Sequence, residues 1–230
     1  MAFEPALTQA LEELFTKERH VCSFQKGAYL FQEGEPANDI FWIRSGKVQV
    51  GKIGPDGREL TIRVSKKKNM LIEMTLFEED TVYIMNAKAL EYGEAWTVSR
   101  RALEKLLSST PEWMISWLRY TQADHVRTQS KLRDLVLNGK KGVVYSTLIR
   151  MGNTFGKQTE EGLFLNISLT NQEMANLCGT SREVVNRLLA QLKKEGIIKM
   201  RRNQITLCDI DYLKREIHCE NCPIDICQID

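Results

Sequence analysis

Cys219-Glu-Asn-Cys222-Pro-Ile-Asp-Ile-Cys227, preceded by His218, sets three cysteines in a C-x2-C-x4-C array. Thiolates are soft donors, and three on so short a segment can close around one metal centre. They leave a fourth coordination position to be filled from elsewhere. The spacing suits an iron–sulfur cluster, or zinc with His218 or an aspartate completing the set. It also suits a thiol–disulfide switch between Cys219 and either Cys222 or Cys227. His218 and Cys219 are neighbours in the chain and converge poorly on one ion. Of the remaining thiols, Cys178 and Cys208 are expected as packed core cysteines, the usual place of a free cysteine.

Composition narrows the setting. The chain has 230 residues, 43% hydrophobic and 27% charged, enough for one large or two modest cores. No window approaches eighteen uncharged apolar residues, so no membrane-spanning helix is expected. The start, Met-Ala-Phe-Glu-Pro, lacks the basic residues and apolar run of a signal peptide. A cytoplasmic location is therefore expected, where thiols stay reduced and metal binding is favoured over a disulfide framework. Net charge is only +2, so a globally basic nucleic-acid binder is not indicated. Lys66, Lys67 and Lys68 read as a solvated run. Lys193, Lys194, Lys199, Arg201 and Arg202 form a second basic stretch beside a stronger motif. No catalytic constellation is present: His20, His125 and His218 are scattered without a nucleophile motif, and no enzyme is expected.

That stronger motif runs from Leu169 to Gly196. Thr170 followed by Glu173 is a capping box that starts a helix, and Met174, Ala175 and Leu177 form its packing face. Cys178-Gly179 breaks it with the residue type a tight inter-helix turn needs. Ser181 caps a second helix whose Val184, Val185, Leu188, Leu189 and Leu192 face inward. Arg182, Glu183, Asn186 and Arg187 then share the outward face, where the first turns of a recognition helix meet base edges. Arginine can bond guanine bidentately and glutamate can accept from cytosine. Ile197–Met200 and Ile205–Leu207 flank Arg201-Arg202-Asn-Gln as a basic-tipped hairpin, a wing whose arginines would meet phosphate.

The elements that must carry these groups follow from periodicity. Leu7, Leu11 and Leu14 give helical spacing over about 4–15. From about Val21 to Thr97 short β-like runs separated by Gly27, Gly34, Gly46 and Pro55-Asp-Gly57 suggest an all-β roll. Pro111 opens a long helix to about Leu137. Trp113, Met114, Trp117 and Leu118 make its apolar start, Leu132 and Leu135 its apolar end, and the middle is polar. Such a broken seam fits a two-helix dimer contact. Asn138-Gly139 ends that helix and marks a domain boundary.

Taken together these residues resemble the CRP/FNR superfamily of bacterial transcription regulators. The resemblance covers nearly the whole chain and rests on Gly34, Ile43, Gly46, Val48, Asp56-Gly57 and Glu59-Leu60 in the roll. Gly179-Thr-Ser-Arg-Glu-Val-Val-Asn-Arg187 matches the family recognition helix. The implied fold is α+β: a cyclic-nucleotide-binding-like β-roll (jelly roll) over 1–110 and a dimerisation helix over 111–137. A winged helix-turn-helix over 138–208 and a C-terminal helix with the cysteine tail over 209–230 complete it. The resemblance implies a homodimer on double-stranded DNA at a palindromic TGTGA-like site, with RNA polymerase as a further partner. Arg182, Glu183 and Arg187 would read bases, with Ser181, Thr170, Asn186, Arg201 and Arg202 alongside.

The cyclic-nucleotide branch carries Gly-Glu-Leu, then an arginine ten residues after that glutamate. Here Ile72 precedes Glu73, Tyr83 stands at the arginine position and Ile84 follows. Losing the glycine and the phosphate partner argues against a cyclic nucleotide. The tail, with Ser130–Gly142, looks instead like the Bacillus-type Fnr branch, which senses oxygen through a C-terminal [4Fe-4S] cluster. That resemblance implies Asp134 as the fourth ligand beside Cys219, Cys222 and Cys227. His218, Asp225 and Asp230 compete for the position. The expected function is redox-responsive regulation of anaerobic metabolism. The alternative is a regulator responding to a small molecule in the roll, with a structural zinc or a thiol switch in the tail.

Overall fold

The computed structural model describes residues 4–230. The reading of the first residues as lacking a leader therefore falls, for Met1–Phe3, outside the described residues. The chain forms two compact units. One extends to Ile53, resumes over Ile62–Ala123 and includes Asp230; the other comprises Gly54–Thr61 and Asp124–Ile229.

Among the described residues α1 (Pro5–Lys17) precedes eight strands, all in the first unit except the start of β5: β1 (His20–Phe24), β2 (Tyr29–Phe31), β3 (Asp39–Ser45), β4 (Val48–Ile53), β5 (Glu59–Ser65), β6 (Met70–Leu71), β7 (Asn86–Ala89) and β8 (Gly93–Ser99). They form two four-stranded sheets, in the orders β1-β8-β3-β6 and β2-β7-β4-β5. This is the expected roll. The helix of 4–15 appears as α1 with Leu7, Leu11 and Phe15 buried. Inward residues Ile40, Ile43, Val48, Val50 and Leu71 meet α1, α2 (Arg100–Ser108) and Trp117 in one core. Gly46 turns at φ +82°, and a Cβ there would meet the Tyr92 carbonyl at 2.8 Å, so only glycine fits without rearrangement.

Helix α3 is Pro111–Leu137. Its opening apolar face is divided. Trp117 is buried in the roll core with Trp113 and Met114 packed against it, whereas Leu118 is exposed, as is Leu132 near the helix's end.

The second unit continues with α4 (Gly139–Phe155), β9 (Gly156–Thr159), β10 (Gly162–Leu165), α5 (Asn171–Leu177), α6 (Arg182–Lys194), β11 (Ile198–Arg201), β12 (Gln204–Leu207) and α7 (Ile210–Glu216). The four strands pair antiparallel in the order β11-β12-β10-β9. Sequence periodicity gave neither α4 nor the β9–β10 hairpin. Helix α4 is buried without interruption from Gly142 to Gly152, so it has no polar face to set up a 3.6-residue alternation.

Candidate functional site

The helix-turn-helix is built as its residues require. The Thr170 hydroxyl accepts from the Glu173 N–H at 3.2 Å, and the Glu173 carboxylate accepts from the Thr170 N–H at 2.6 Å. Gly179 makes the turn at φ +56°. Ser181 caps α6 by accepting from Val184 N–H. Val185, Leu188, Leu189 and Leu192 are buried, each contributing about 1.5–3 kcal/mol of apolar burial. Val184, expected inside, is only half-buried. Arg182, Glu183, Asn186 and Arg187 are all exposed on the opposite face. The Asn171 amide donates to Asn186, tying the start of α5 to the recognition face.

The wing is β11–β12, one residue offset from the expected strands: Arg201 pairs with Gln204 and the turn is Arg202-Asn203. Arg202 takes φ +55°, the left-handed conformation of a two-residue hairpin turn. Glu161, between β9 and β10, faces the wing. It accepts from Lys199 Nζ at 3.1 Å and lies 3.7 Å from Arg201. The Lys199 hydrogen bond and the two cations hold its carboxyl below the usual range.

Behind α4 the tail returns to the end of α3. His218 (φ +49°) leaves α7 in the left-handed region, and Cys219 N–H donates to Lys214 O at 2.9 Å. Asn221 (φ +52°) makes a second such turn before Pro223–Cys227 closes on itself through Cys227 N–H to Pro223 O, 3.0 Å. Asp134 is buried beside this segment, 6% exposed. Its Oδ2 accepts from Ser146 Oγ and from Arg150 Nε (3.1 Å) and Nη2 (2.7 Å). Its Oδ1 accepts from Arg133 Nη2 at 3.0 Å, and the same nitrogen lies 4.0 Å from Cys222 Sγ. Arg133 also donates to Glu220. Burial opposes the Asp134 charge most strongly, yet Ser146, Arg150 and Arg133 together hold its carboxyl below the ordinary value.

The fold thus brings Asp134 to the segment that carries the three tail cysteines, with Arg133 reaching both Asp134 and Cys222. Burial pushes the Cys227 thiol up, Arg150 opposes the rise, and the charges of Cys219, Cys222 and Asp134 add to it. All three thiols are half-buried and unbridged. The four groups share one neighbourhood without being drawn into a shell. Among the described residues no group of three or more His, Cys, Asp or Glu side chains has the geometry of a metal site. By its chemistry the donor set, three thiols and one carboxylate, fits a soft-metal or iron–sulfur centre.

Cys208, expected in a core, is exposed, because β12 ends there and the chain turns out to α7; Cys178 is buried as expected. Asp134 pairs with Arg133, but its main partner is Arg150. The available signal was a lone arginine inside the apolar run Leu148-Ile-Arg-Met151.

In the roll, Tyr83 is buried and stacks on Phe31, while its hydroxyl donates to Asp39 O at 2.8 Å. Burial raises the phenol to about 12. Glu73 is buried and paired with Arg63.

A family model described as a cyclic nucleotide-binding domain matches residues 21–110, and one described as a Crp-like helix-turn-helix domain matches 144–216. The chain is 41% identical over 225 residues to the anaerobic regulatory protein of Bacillus subtilis, covering 97% of this chain and 93% of that one. It is 31% identical over 212 residues to the CRP-like cAMP-activated global transcriptional regulator of Mycobacterium tuberculosis, covering 92% of each. Among solved structures, FixK2 from Bradyrhizobium japonicum superposes with a TM-score of 0.75 at 20% identity, over 86% of this chain and 96% of that one. The two sequence relatives are named as regulators rather than enzymes, and the chain belongs to the CRP/FNR family of transcription regulators.

Proposed function

We propose that this chain is an oxygen- or redox-responsive regulator of anaerobic metabolism that binds double-stranded DNA as a homodimer. Cys219, Cys222, Cys227 and Asp134 would hold a [4Fe-4S] cluster, which when bound supplies an oxidant-sensitive centre. The observation that carries the reading is the burial of Asp134 beside the tail, where one arginine, Arg133, reaches both Asp134 and Cys222. A carboxylate remote in sequence thereby shares an arginine with a thiol of the tail. The name of the Bacillus subtilis relative supports the anaerobic role.

The chain's own residues supply the rest. Arg182, Glu183 and Arg187, with Asn186, present donors and acceptors to base edges of a TGTGA-like half-site. Ser181, Thr170, Arg201 and Arg202 add phosphate contacts that fix register. Along α3, Ile115, Leu118, Leu132 and Val136 are exposed and fall on one 3-4 repeat with Gln122, His125 and Gln129 between them. That stripe is the surface for a second copy. Residues 111–137 therefore act as the dimerisation helix between a roll over 1–110 and a winged helix-turn-helix over 138–208. The segment 209–230 is the sensor tail, and RNA polymerase is the further partner. Ile72 and Tyr83 stand where the cyclic-nucleotide branch carries its glycine and its phosphate-binding arginine, so the roll acts as scaffold. No described helix is long and apolar enough to cross a membrane.

The deciding experiment is strictly anaerobic purification with an absorption spectrum and iron and sulfide analysis, repeated on Asp134→Ala. A brown protein with iron, sulfide and a broad visible absorption band that the variant loses supports the reading. A colourless wild type containing stoichiometric zinc, or no metal, overturns it and leaves a DNA-binding regulator with a structural or thiol tail.

A further inference from the structure

Arg150 is 2% exposed, one of the largest fully buried side chains of the protein, on the helix that packs beneath the tail. Its five N–H groups are all in use. Nε and one N–H of Nη2 converge on Asp134 Oδ2, at 3.1 and 2.7 Å. The other Nη2 hydrogen meets Ser130 Oγ at 2.8 Å. Nη1 reaches the carbonyls of Ile226 (3.1 Å) and Gln228 (3.4 Å), on either side of Cys227. The next residues on the same face complete the grip. Asn153 Nδ2 donates to the Cys227 carbonyl at 2.7 Å, and Thr154 Oγ1 accepts from Ile229 N–H at 3.0 Å.

We propose that Arg150 is the positioning residue of the sensor centre. It fixes Cys227 and Asp134 against one another through a single guanidinium before any cluster is present. This role rests on the cluster reading above. Clamping Oδ2 leaves Oδ1 as the oxygen offered for ligation, and Arg133, half-exposed and shared with Glu220, is the group that moves aside. Cys227 is then the preset cysteine, its backbone held on three successive carbonyls. Cys219 and Cys222, hung on the left-handed turns at His218 and Asn221, close last. Lysine cannot replace arginine here. It has three donors on a point charge and cannot span a carboxylate and two carbonyls at once.

The test compares wild type, Arg150→Gln, Arg150→Lys and Asn153→Ala as full-length chains. Amide hydrogen exchange at Cys227 and Ile229 is measured without iron, and iron and sulfide content after anaerobic reconstitution. Circular dichroism confirms that each variant is folded. Exchange should rise by roughly 10- to 100-fold in both Arg150 variants, the effect of losing charge-assisted hydrogen bonds. The reconstituted iron complement should fall in both, including the charge-conserving lysine, and fall less in Asn153→Ala. Arg150→Lys that keeps wild-type exchange and the full iron complement overturns the positioning role, even if Arg150→Gln does not fold. A wild type that takes up no iron overturns the cluster reading and with it the role of Arg150 toward a ligand, whatever the exchange rates do.

Discussion

The ring of Tyr83 lies flat on that of Phe31, centroids 4.0 Å and planes 14° apart, inside the β-roll. Such a stacked pair adds about 0.5–1.5 kcal/mol beyond the area it buries. It stands where the resemblance to cyclic-nucleotide binders would require a phosphate-binding arginine. Cyclic AMP at millimolar concentration should therefore give no heat on titration and leave the Tm unchanged. A ligand at a hundred times its Kd would add about 2.7 kcal/mol of stability, so a rise of several degrees would show that a site exists.

The same phenol makes a pH prediction. Its pKa lies near 10 unfolded and about 12 folded, raised mainly by burial. The folded state keeps a proton that the unfolded chain loses. This contribution is complete below pH 10 and is lost as pH rises through about 12. Tyr83→Phe removes both the titration and the hydrogen bond to Asp39. It should cost about 0.5–1.5 kcal/mol at pH 8. The gap between variant and wild type should narrow from pH 10 upward, as read by urea unfolding. A gap that is constant with pH would mean the phenol titrates alike in both states.

Asp134 and Arg150 should be coupled whether or not a cluster is bound. Removing either one leaves the other charge buried. Asp134→Asn or Arg150→Met alone should cost about 3–5 kcal/mol in cluster-free protein, whereas the double substitution should recover much of it. Urea unfolding of the four proteins closes the cycle. Additive losses would mean that the two groups do not depend on each other.

How far the sequence carried these conclusions varies with the physics of each element. The capping box at Thr170 and Glu173 and the outward face of α6 were legible, because local hydrogen bonding and 3.6-residue periodicity determine them. The roll was legible from its turns. Helix α4 was not, since burial on every side erases the pattern that marks a helix. Arg150 was hidden with it: the partners that explain it lie 16 positions back at Asp134 and 76 onward at Ile226, and no local signal links them. Asp134 itself entered through resemblance alone. Its meeting with the tail is a tertiary fact.

Base reading and phosphate contact should separate at Arg182 and Arg202. Arg182→Ala should lose about 1–3 kcal/mol on the cognate half-site and little on random DNA. Arg202→Ala should weaken both alike and lower the salt slope by about one. Fluorescence anisotropy across a salt series distinguishes these patterns. Equal losses on both sequences for Arg182 would reduce it to a phosphate contact.

The exposed stripe of α3 gives the last expectation. Leu132 is 58% and Val136 69% exposed on the described chain, too apolar a surface to be left to water along one helix face. Covered by a second copy, each such side chain gains roughly 1.5–3 kcal/mol on full burial. Leu132→Glu loses that gain and sets two carboxylates against each other across the axis. Wild type should therefore sediment as a dimer at micromolar concentration and Leu132→Glu as a monomer, with unchanged circular dichroism. Because the cysteines and Asp134 are not part of this stripe, aerobic, cluster-free wild type should be dimeric too, with redox state altering specific DNA affinity rather than assembly. Aerobic monomers would overturn that division of labour and make dimerisation itself the redox-controlled step.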